Sequence, residues 1–204
     1  MQSDITAGLT EAAAILQSGG VVAFPTDTVY GLGALADCPD AVRRIFEIKK
    51  RPLTQALPVL AADVEQAASV ADDIPEAARL LMARFWPGAL TLVLPRAVWI
   101  PDEVTAGGLT IAVRVPAHPL TLALIHVAGG PLVGTSANVH GHPSPVTADG
   151  VREQLGDSVD LTIDGGRAPG GIESTVVDVS VSPPRILRQG IIKREDIEKV
   201  VAVL

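Results

Sequence analysis

The chain has 204 residues, 48% hydrophobic but only 3% aromatic, which is ample for one full core built from Val, Leu, Ile and Ala. A formal net charge of −7 excludes broad, non-specific attraction to a nucleic-acid backbone, while 16 Lys and Arg leave room for a local basic cleft. With one cysteine, Cys38, there is no internal disulfide and no cysteine metal site; it is read as a small buried or helix-entry side chain in a reducing compartment.

No basic segment followed by an apolar core opens the chain, so residues 1–9 (MQSDITAGL) are not read as a secretory leader. No run of about 18 apolar residues occurs that could span a membrane, and the expected compartment is the cytoplasm. Residues 10–17 are Ala-rich and stop at Ser18-Gly19-Gly20, which predicts a short helix with a glycine stop. The apolar run 21–24 predicts a buried strand, which Pro25 ends because it has no N–H for a ladder. Directly beyond it, Thr26, Asp27, Thr28 and Tyr30 place three hydroxyls and a carboxylate within five positions. That is the strand's C-terminal end, where α/β proteins bind ligands. Gly31 and Gly33 are expected to let the backbone turn sharply or approach a ligand closely.

Pro39 suits the first position of a helix whose apolar face is Val42, Ile45, Phe46 and Ile48. The helix runs into Lys49-Lys50-Arg51-Pro52. Cations there are favourable by about 0.3–1 kcal/mol, so dipole compensation accounts for them in isolation. Residues 57–60 predict a strand, 63–70 and 75–85 helices, and 90–94 another apolar strand after Trp86-Pro87-Gly88. Residues 105–110 read as a flexible connection into a strand at 111–115. Within that strand Arg114 stands among apolar neighbours, and a buried guanidinium must meet either an internal carboxylate or a ligand. A helix over 120–127, closed by Gly129-Gly130, leads to a strand at 131–134 and then to Thr135, Ser136, Ala137 and Asn138. This repeats the earlier layout of apolar strand and clustered small polar residues. A short helix (151–155), strands at 159–163, 174–179 and 185–188, a Gly/Pro loop at 167–172 and a closing helix over 193–201 complete the order. It predicts a single α/β domain over 1–204 with a twisted mixed β-sheet, flanking helices and one cationic, hydroxyl-lined cleft.

No P-loop signature occurs, and no G-x-G-x-x-G follows a strand. His140 and His142 lack the cysteine or carboxylate company of a metal site, His118 reads as a turn residue, and no Ser sits in a nucleophile elbow. What remains is a set of anion-seeking groups: Lys49, Arg51, Arg114 and Arg188, with hydroxyl and amide donors at Thr26, Thr110, Ser136, Asn138, Ser144 and Ser174. That inventory suits a polyphosphate together with a small carboxylate. At about 4 Å and an effective dielectric of about 20, each cation–phosphate contact is worth on the order of 4 kcal/mol, and converging cations without an anion repel one another. Taken singly, each residue also fits a cap, a surface charge or a satisfied amide; their joint placement at strand ends favours a site.

The stretches 24–33 (FPTDTVYGLG), Lys49 with Arg51-Pro52, 86–91 (WPGALT), 113–116 (VRVP), Ser136-Ala137-Asn138 with Pro143-Ser144-Pro145, 173–178 (ESTVVD) and 187–190 (LRQG) resemble the YrdC-like threonylcarbamoyl-AMP synthases, in the family's order. The resemblance covers nearly the whole chain and is to the short form, without the extra C-terminal domain of some relatives. It implies condensation of L-threonine, bicarbonate (or CO₂) and ATP to threonylcarbamoyl-AMP and pyrophosphate. A partner transferase complex would then carry the threonylcarbamoyl group to an adenosine beside the anticodon of certain tRNAs. The resemblance further implies that Thr26, Tyr30, Arg114, Ser136 and Ser174 hold threonine, with Arg114 on its carboxylate and Tyr30 as a wall. Lys49, Arg51, Leu53 (through its backbone), Thr110, Asn138, Ser144 and Arg188 would hold ATP, and Lys49, Arg51, Ser136 and Asn138 would form a catalytic tetrad. Mg²⁺ is expected to arrive with ATP, held mainly by its phosphates, because no carboxylate cage is visible. Loop 51–56 or loop 168–173 is the expected lid over a short-lived carbamate. The chain departs from the family pattern at His140 and at Gln55-Ala56-Leu57. Direct contact with tRNA stays open, as do two alternatives: an RNA-binding relative without synthase activity, and a synthase of a different carbamoyl or acyl adenylate.

Overall fold

The apolar runs pair into one mixed sheet in the computed structural model, which describes residues 2–204, with side chains from Gly8 onward. Met1, the first residue of the stretch tested for a leader, lies outside the described residues. The helices are α1 (Gln2–Gln17), α2 (Pro39–Lys49), α3 (Val64–Ser69), α4 (Glu76–Phe85), α5 (Asp102–Thr105), α6 (Pro119–Ala128), α7 (Ala148–Leu155) and α8 (Arg194–Glu198). The strands are β1 (Val22–Phe24), β2 (Gly31–Leu35), β3 (Val59–Leu60), β4 (Leu90–Pro95), β5 (Thr110–Arg114), β6 (Leu132–Ser136), β7 (Leu161–Thr162), β8 (Thr175–Asp178) and β9 (Arg185–Arg188). Their order in the sheet is β7-β1-β2-β6-β3-β5-β4-β8-β9. The expected α/β class with a mixed sheet is what folds.

Register explains how the two faces differ, because directly paired residues share a face and neighbours along a strand alternate. One row runs Ala34, Val133, Val59, Val113, Leu92, Val177 across six strands, each fully buried. This face packs on α2, α4, α7 and α8 through Val42, Ile45, Leu81, Val151 and Ile197. Burying a Val or Leu side chain in this way is worth about 1.5–3 kcal/mol, so this face carries most of the core. The next row, on the opposite face, reads Leu35, Leu132, Leu60, Arg114. Here α1 and α6 supply Ala12, Leu16, Leu124 and Ile125 to a second cluster that ends at Leu60. Beyond Leu60 the apolar row gives way to a guanidinium.

Three expectations change. The first helix begins at Gln2 rather than at residue 10, and α1 packs on α6 through Leu9, Ala12 and Leu16. Part of the connection expected over 105–110 belongs to α5, which stops where Ala106 takes a left-handed conformation at φ 53°. Gly31 and Gly33 do not make a turn: they lie inside β2, antiparallel to β1. The Phe24 ring occupies the space their side chains would fill, an aromatic lying over strand glycines. A Cβ on Gly33 would stand 2.7 Å from the Val133 carbonyl and 2.9 Å from that ring. Gly33→Ala is therefore expected to lower the urea-unfolding free energy by about 1–3 kcal/mol through overpacking, with an unchanged m-value; an unaltered midpoint would show that the sheet opens freely there.

Candidate functional site

The same register that buries one face assembles a site on the other. Gly31 pairs with Ser136 and Gly33 with Gly134, while Leu60 pairs with Arg114; Thr91 pairs with Val176 and Val176 with Arg188. Alternation puts Gly31, Gly134, Ser136, Leu60, Arg114, Thr91 and Arg188 on one face. A cleft of about 400 Å³ lies there, lined by these residues together with Thr26, Thr28, Tyr30, Lys49, Arg51, Asn138, Ser144, Glu173 and Ser174. The cleft thus lies on the part of this face that α1 and α6 leave open, and it reaches the expected ligand edge, the C-terminal end of β1, through Thr26, Thr28 and Tyr30. Small residues at Gly31 and Gly134 let neighbouring side chains pack against the backbone here: a Cβ on Gly31 would stand 3.0 Å from the Phe24 ring and one on Gly134 2.6 Å from the Leu60 side chain.

Arg114 is 6% exposed and is fixed by three contacts. Its Nε donates to Gly88 O (2.8 Å), Nη1 to Thr28 Oγ1 (3.2 Å) and Nη2 to Asp27 Oδ1 (2.5 Å). The internal carboxylate left open by the sequence is Asp27. Burial pulls the Arg114 pKa down and Asp27 opposes it; a guanidinium stays charged regardless. Five N–H groups are available to an arginine, so three contacts leave two for a further acceptor.

The loop that brings Asp27 and Thr28 to Arg114 is folded by Thr26. Its hydroxyl donates to Val29 O at 2.7 Å and accepts from the Thr28 and Val29 amides at 3.1 and 3.3 Å. Tyr30, fully buried, donates to Gly166 O at 2.7 Å, and burial raises its pKa. Both hydroxyls are committed to the protein, so in this structure Thr26 and Tyr30 shape the cleft wall.

Lys49 sits at the end of α2, where Lys50 terminates the helix in a left-handed conformation at φ 52°. The Lys49 side chain turns inward and is 2% exposed, which dipole compensation at a surface helix end does not require. Its Nζ donates to Ser136 O, to Asn138 O at 2.7 Å and to Asn138 Oδ1 at 3.1 Å. Three acceptors match the three protons of an ammonium. Burial nonetheless pushes its pKa down to about 8; the Arg51 charge adds to this and the Glu173 charge opposes it. Asn138 in turn donates to His142 O (2.6 Å) and Val139 O (3.0 Å), so one lysine and one amide fix the whole 136–142 turn.

Arg51 donates to Ala56 O at 2.9 Å, folding the loop after α2 back on itself. At the far wall Ser174 Oγ lies 2.8 Å from Thr91 Oγ1. Arg188 donates through Nε and Nη2 to Ser174 O at 3.2 and 3.0 Å, and through Nη1 to Glu173. Glu173 also accepts from Ser144 Oγ at 3.3 Å. Two internal carboxylates, Asp27 and Glu173, therefore answer Arg114 and Arg188. Part of the charge that the converging cations need is thus supplied from within the chain.

Ten of the twelve residues predicted to form the site line this one cleft. Two stand outside it: Thr110 begins β5, at the opposite end of the strand from Arg114, and Leu53 is 60% exposed in the loop after α2. The sequence-based set omitted Thr28, Thr91 and Glu173. Strand alternation around Arg114 was the available signal for Thr91, a hydroxyl in the otherwise apolar run 90–94.

The fold and cleft define an α/β protein with a cationic, hydroxyl-lined site on the uncovered face of its sheet. The chain belongs to the Sua5/YciO/YrdC family, whose model, described as telomere recombination, matches residues 14–190. It is 47% identical over 190 residues to the threonylcarbamoyl-AMP synthase of Pyrococcus abyssi, covering 93% of this chain and 56% of that protein. It is likewise 47% identical over 194 residues to the Bacillus subtilis protein of the same name, covering 95% and 56%. The chain thus spans just over half the length of these two relatives. Among solved structures, P. abyssi Sua5 complexed with L-threonine superposes with a TM-score of 0.93 at 45% identity, covering 96% of this chain and 58% of that one.

Proposed function

We propose that this chain makes threonylcarbamoyl-AMP from L-threonine, bicarbonate or CO₂, and ATP, releasing pyrophosphate. The observation that carries this reading is Arg114: buried on the open face of the sheet, held by three contacts, with two N–H groups left to meet a carboxylate beside three further cations. Threonine's carboxylate takes those donors, which sets its amine toward the middle of the cleft, with Ser136 and Ser174 flanking it. The triphosphate lies along Arg51, Ser144 and Arg188, under the field of Lys49. The amine, having lost its ammonium proton to solvent, forms a C–N bond to the carbon of bicarbonate with loss of water, or to CO₂ with release of a proton to solvent, and gives the carbamate. The carbamate oxygen then attacks the α-phosphorus in line, and the bond to the β-phosphate bridging oxygen breaks to release pyrophosphate. The protein's contribution is alignment and preorganised positive charge.

Among the described residues, no group of three or more His, Cys, Asp or Glu could hold a metal ion. In this reading Mg²⁺ enters with ATP, held mainly by its phosphates. When bound, the ion would offset phosphate charge. Among the described residues, no helix is long and apolar enough to cross a membrane. A cytoplasmic setting follows from the reading, with a threonylcarbamoyl transferase complex downstream; direct tRNA contact is not required by it.

The test is pyrophosphate release with ATP and Mg²⁺, omitting one substrate at a time. Release that needs both threonine and bicarbonate supports the reading. Release indifferent to threonine points to another acyl adenylate, and salt-sensitive tRNA binding without release points to an RNA-binding relative.

A further inference from the structure

Glu173 is the one carboxylate among the described residues lining the cleft, which it shares with Lys49, Arg51, Arg114 and Arg188. It does not sit among them idly. One carboxylate oxygen pairs with Arg188 Nη1 and the other accepts from Ser144 Oγ at 3.3 Å. Arg188 and Ser144 are both groups assigned to the nucleotide phosphates. Its charge also reaches Lys49 and Arg51, favouring the charged form of each against burial. A carboxylate that contacts a guanidinium and a hydroxyl, in reach of two further cations, has the contacts a phosphate oxygen would have.

We infer that Glu173 is a built-in counter-anion: it occupies a phosphate position in the nucleotide-free cleft and is displaced when the triphosphate enters. This rests on the reading of the cleft as an ATP site. The backbone shows which part moves. Glu173 O accepts from Ile191 N at 3.2 Å, and Gly190 packs without a side chain against Glu173 and Ser174, so the main chain is anchored to the end of β9. Displacement is therefore a rotation of the Glu173 side chain, which is 38% exposed and has room to swing into solvent. Arg188 stays in place throughout, because Nε and Nη2 remain on Ser174 O; only its Nη1 edge changes partner. The arrangement gives the cleft's cations an anion of the chain's own and sets a threshold that a triphosphate exceeds more readily than a monoanion does.

The test is equilibrium binding of ATP to the full chain and to Glu173→Gln, at fixed low ionic strength, with and without Mg²⁺. Matching circular dichroism spectra and melting curves establish that the variant is folded. Without Mg²⁺ the variant is expected to bind ATP about three- to fivefold more tightly, since an exposed pair of this kind competes only modestly. Glu173→Ala is expected to move in the same direction, and the gain should shrink at high salt. Unchanged or weaker binding in both variants overturns the inference while leaving the ATP site standing. Weaker binding confined to the Mg²⁺ samples also overturns it, by making Glu173 a ligand of the nucleotide's metal. Failure of the unaltered chain to bind ATP in either condition overturns the ATP site and this inference together.

Discussion

Arg114→Ala is expected to raise the KM for threonine at least about 100-fold, while the affinity for ATP changes less than about threefold. Two charge-assisted hydrogen bonds to a carboxylate would be lost, each worth about 1.5–3 kcal/mol, and no other guanidinium in the cleft is held in Arg114's position. A second effect accompanies the first. Asp27, whose side chain is 14% exposed, is left without its cation, and breaking such a pair costs about 3–5 kcal/mol of stability. The two effects separate in the double variant Asp27→Asn/Arg114→Ala. Removing the stranded charge should restore much of the unfolding free energy in urea, yet threonine saturation should stay lost. Equal weakening of threonine and ATP would show that the division of the cleft into carboxylate and phosphate halves is wrong.

Lys49→Met should lower kcat/KM for ATP at least about 100-fold with a much smaller change in stability. Methionine keeps the length and apolar stem of the side chain. It strands Ser136 O, Asn138 O and Asn138 Oδ1, a cost of about 1–3 kcal/mol each, but removes a buried ammonium whose desolvation costs several kcal/mol. These nearly offset, so the melting temperature moves little while the 136–142 turn loses its anchor. Lys49→Arg should not rescue activity, because a planar fork cannot direct three protons from one point. The pH dependence carries a sign. With the folded pKa at about 8 and the ordinary lysine value at 10.5, the unfolded chain binds more protons between those limits. The Lys49 contribution to stability therefore rises with pH across that window. Nucleotide affinity runs the other way: it falls as pH rises through about 8, when the ammonium charge is lost. Bound phosphates raise the Lys49 pKa above its value in the free protein, which is what makes the affinity fall, so a flat affinity profile from pH 7 to 9 would contradict the assignment.

Much of this was legible in the chain because strong local signals agreed with tertiary ones. The apolar runs at 90–94 and 111–115 became β4 and β5, and Arg114, out of place in such a run, marked the site. Pro39 opened α2 as its position suggested, and Cys38 stands at the entry to that helix. What the chain hid was set by pairing across long distances. Gly31 and Gly33 carry no strand propensity; β2 is a strand because it pairs with β1 on one side and β6 on the other, with the Phe24 ring packed over its glycines. The inward course of Lys49 depends on carbonyls 87 and 89 residues away, so helix-end charge was the local reading. That the cleft crosses a sheet face, beyond where α1 and α6 cover it, follows from registers that no single segment encodes.

The central claim is that one cleft on that face holds an amino acid and a triphosphate close enough to be joined through a carbonate carbon. It is tested most directly by incubating the chain with ATP, Mg²⁺, threonine and ¹³C-bicarbonate, followed by rapid mass spectrometry of the nucleotide fraction. The account predicts an adenylate carrying one threonine and one ¹³C, formed with pyrophosphate and absent when threonine is omitted or Arg114 is replaced. An unlabelled adenylate, or ¹³C in the nucleotide without threonine, would contradict it.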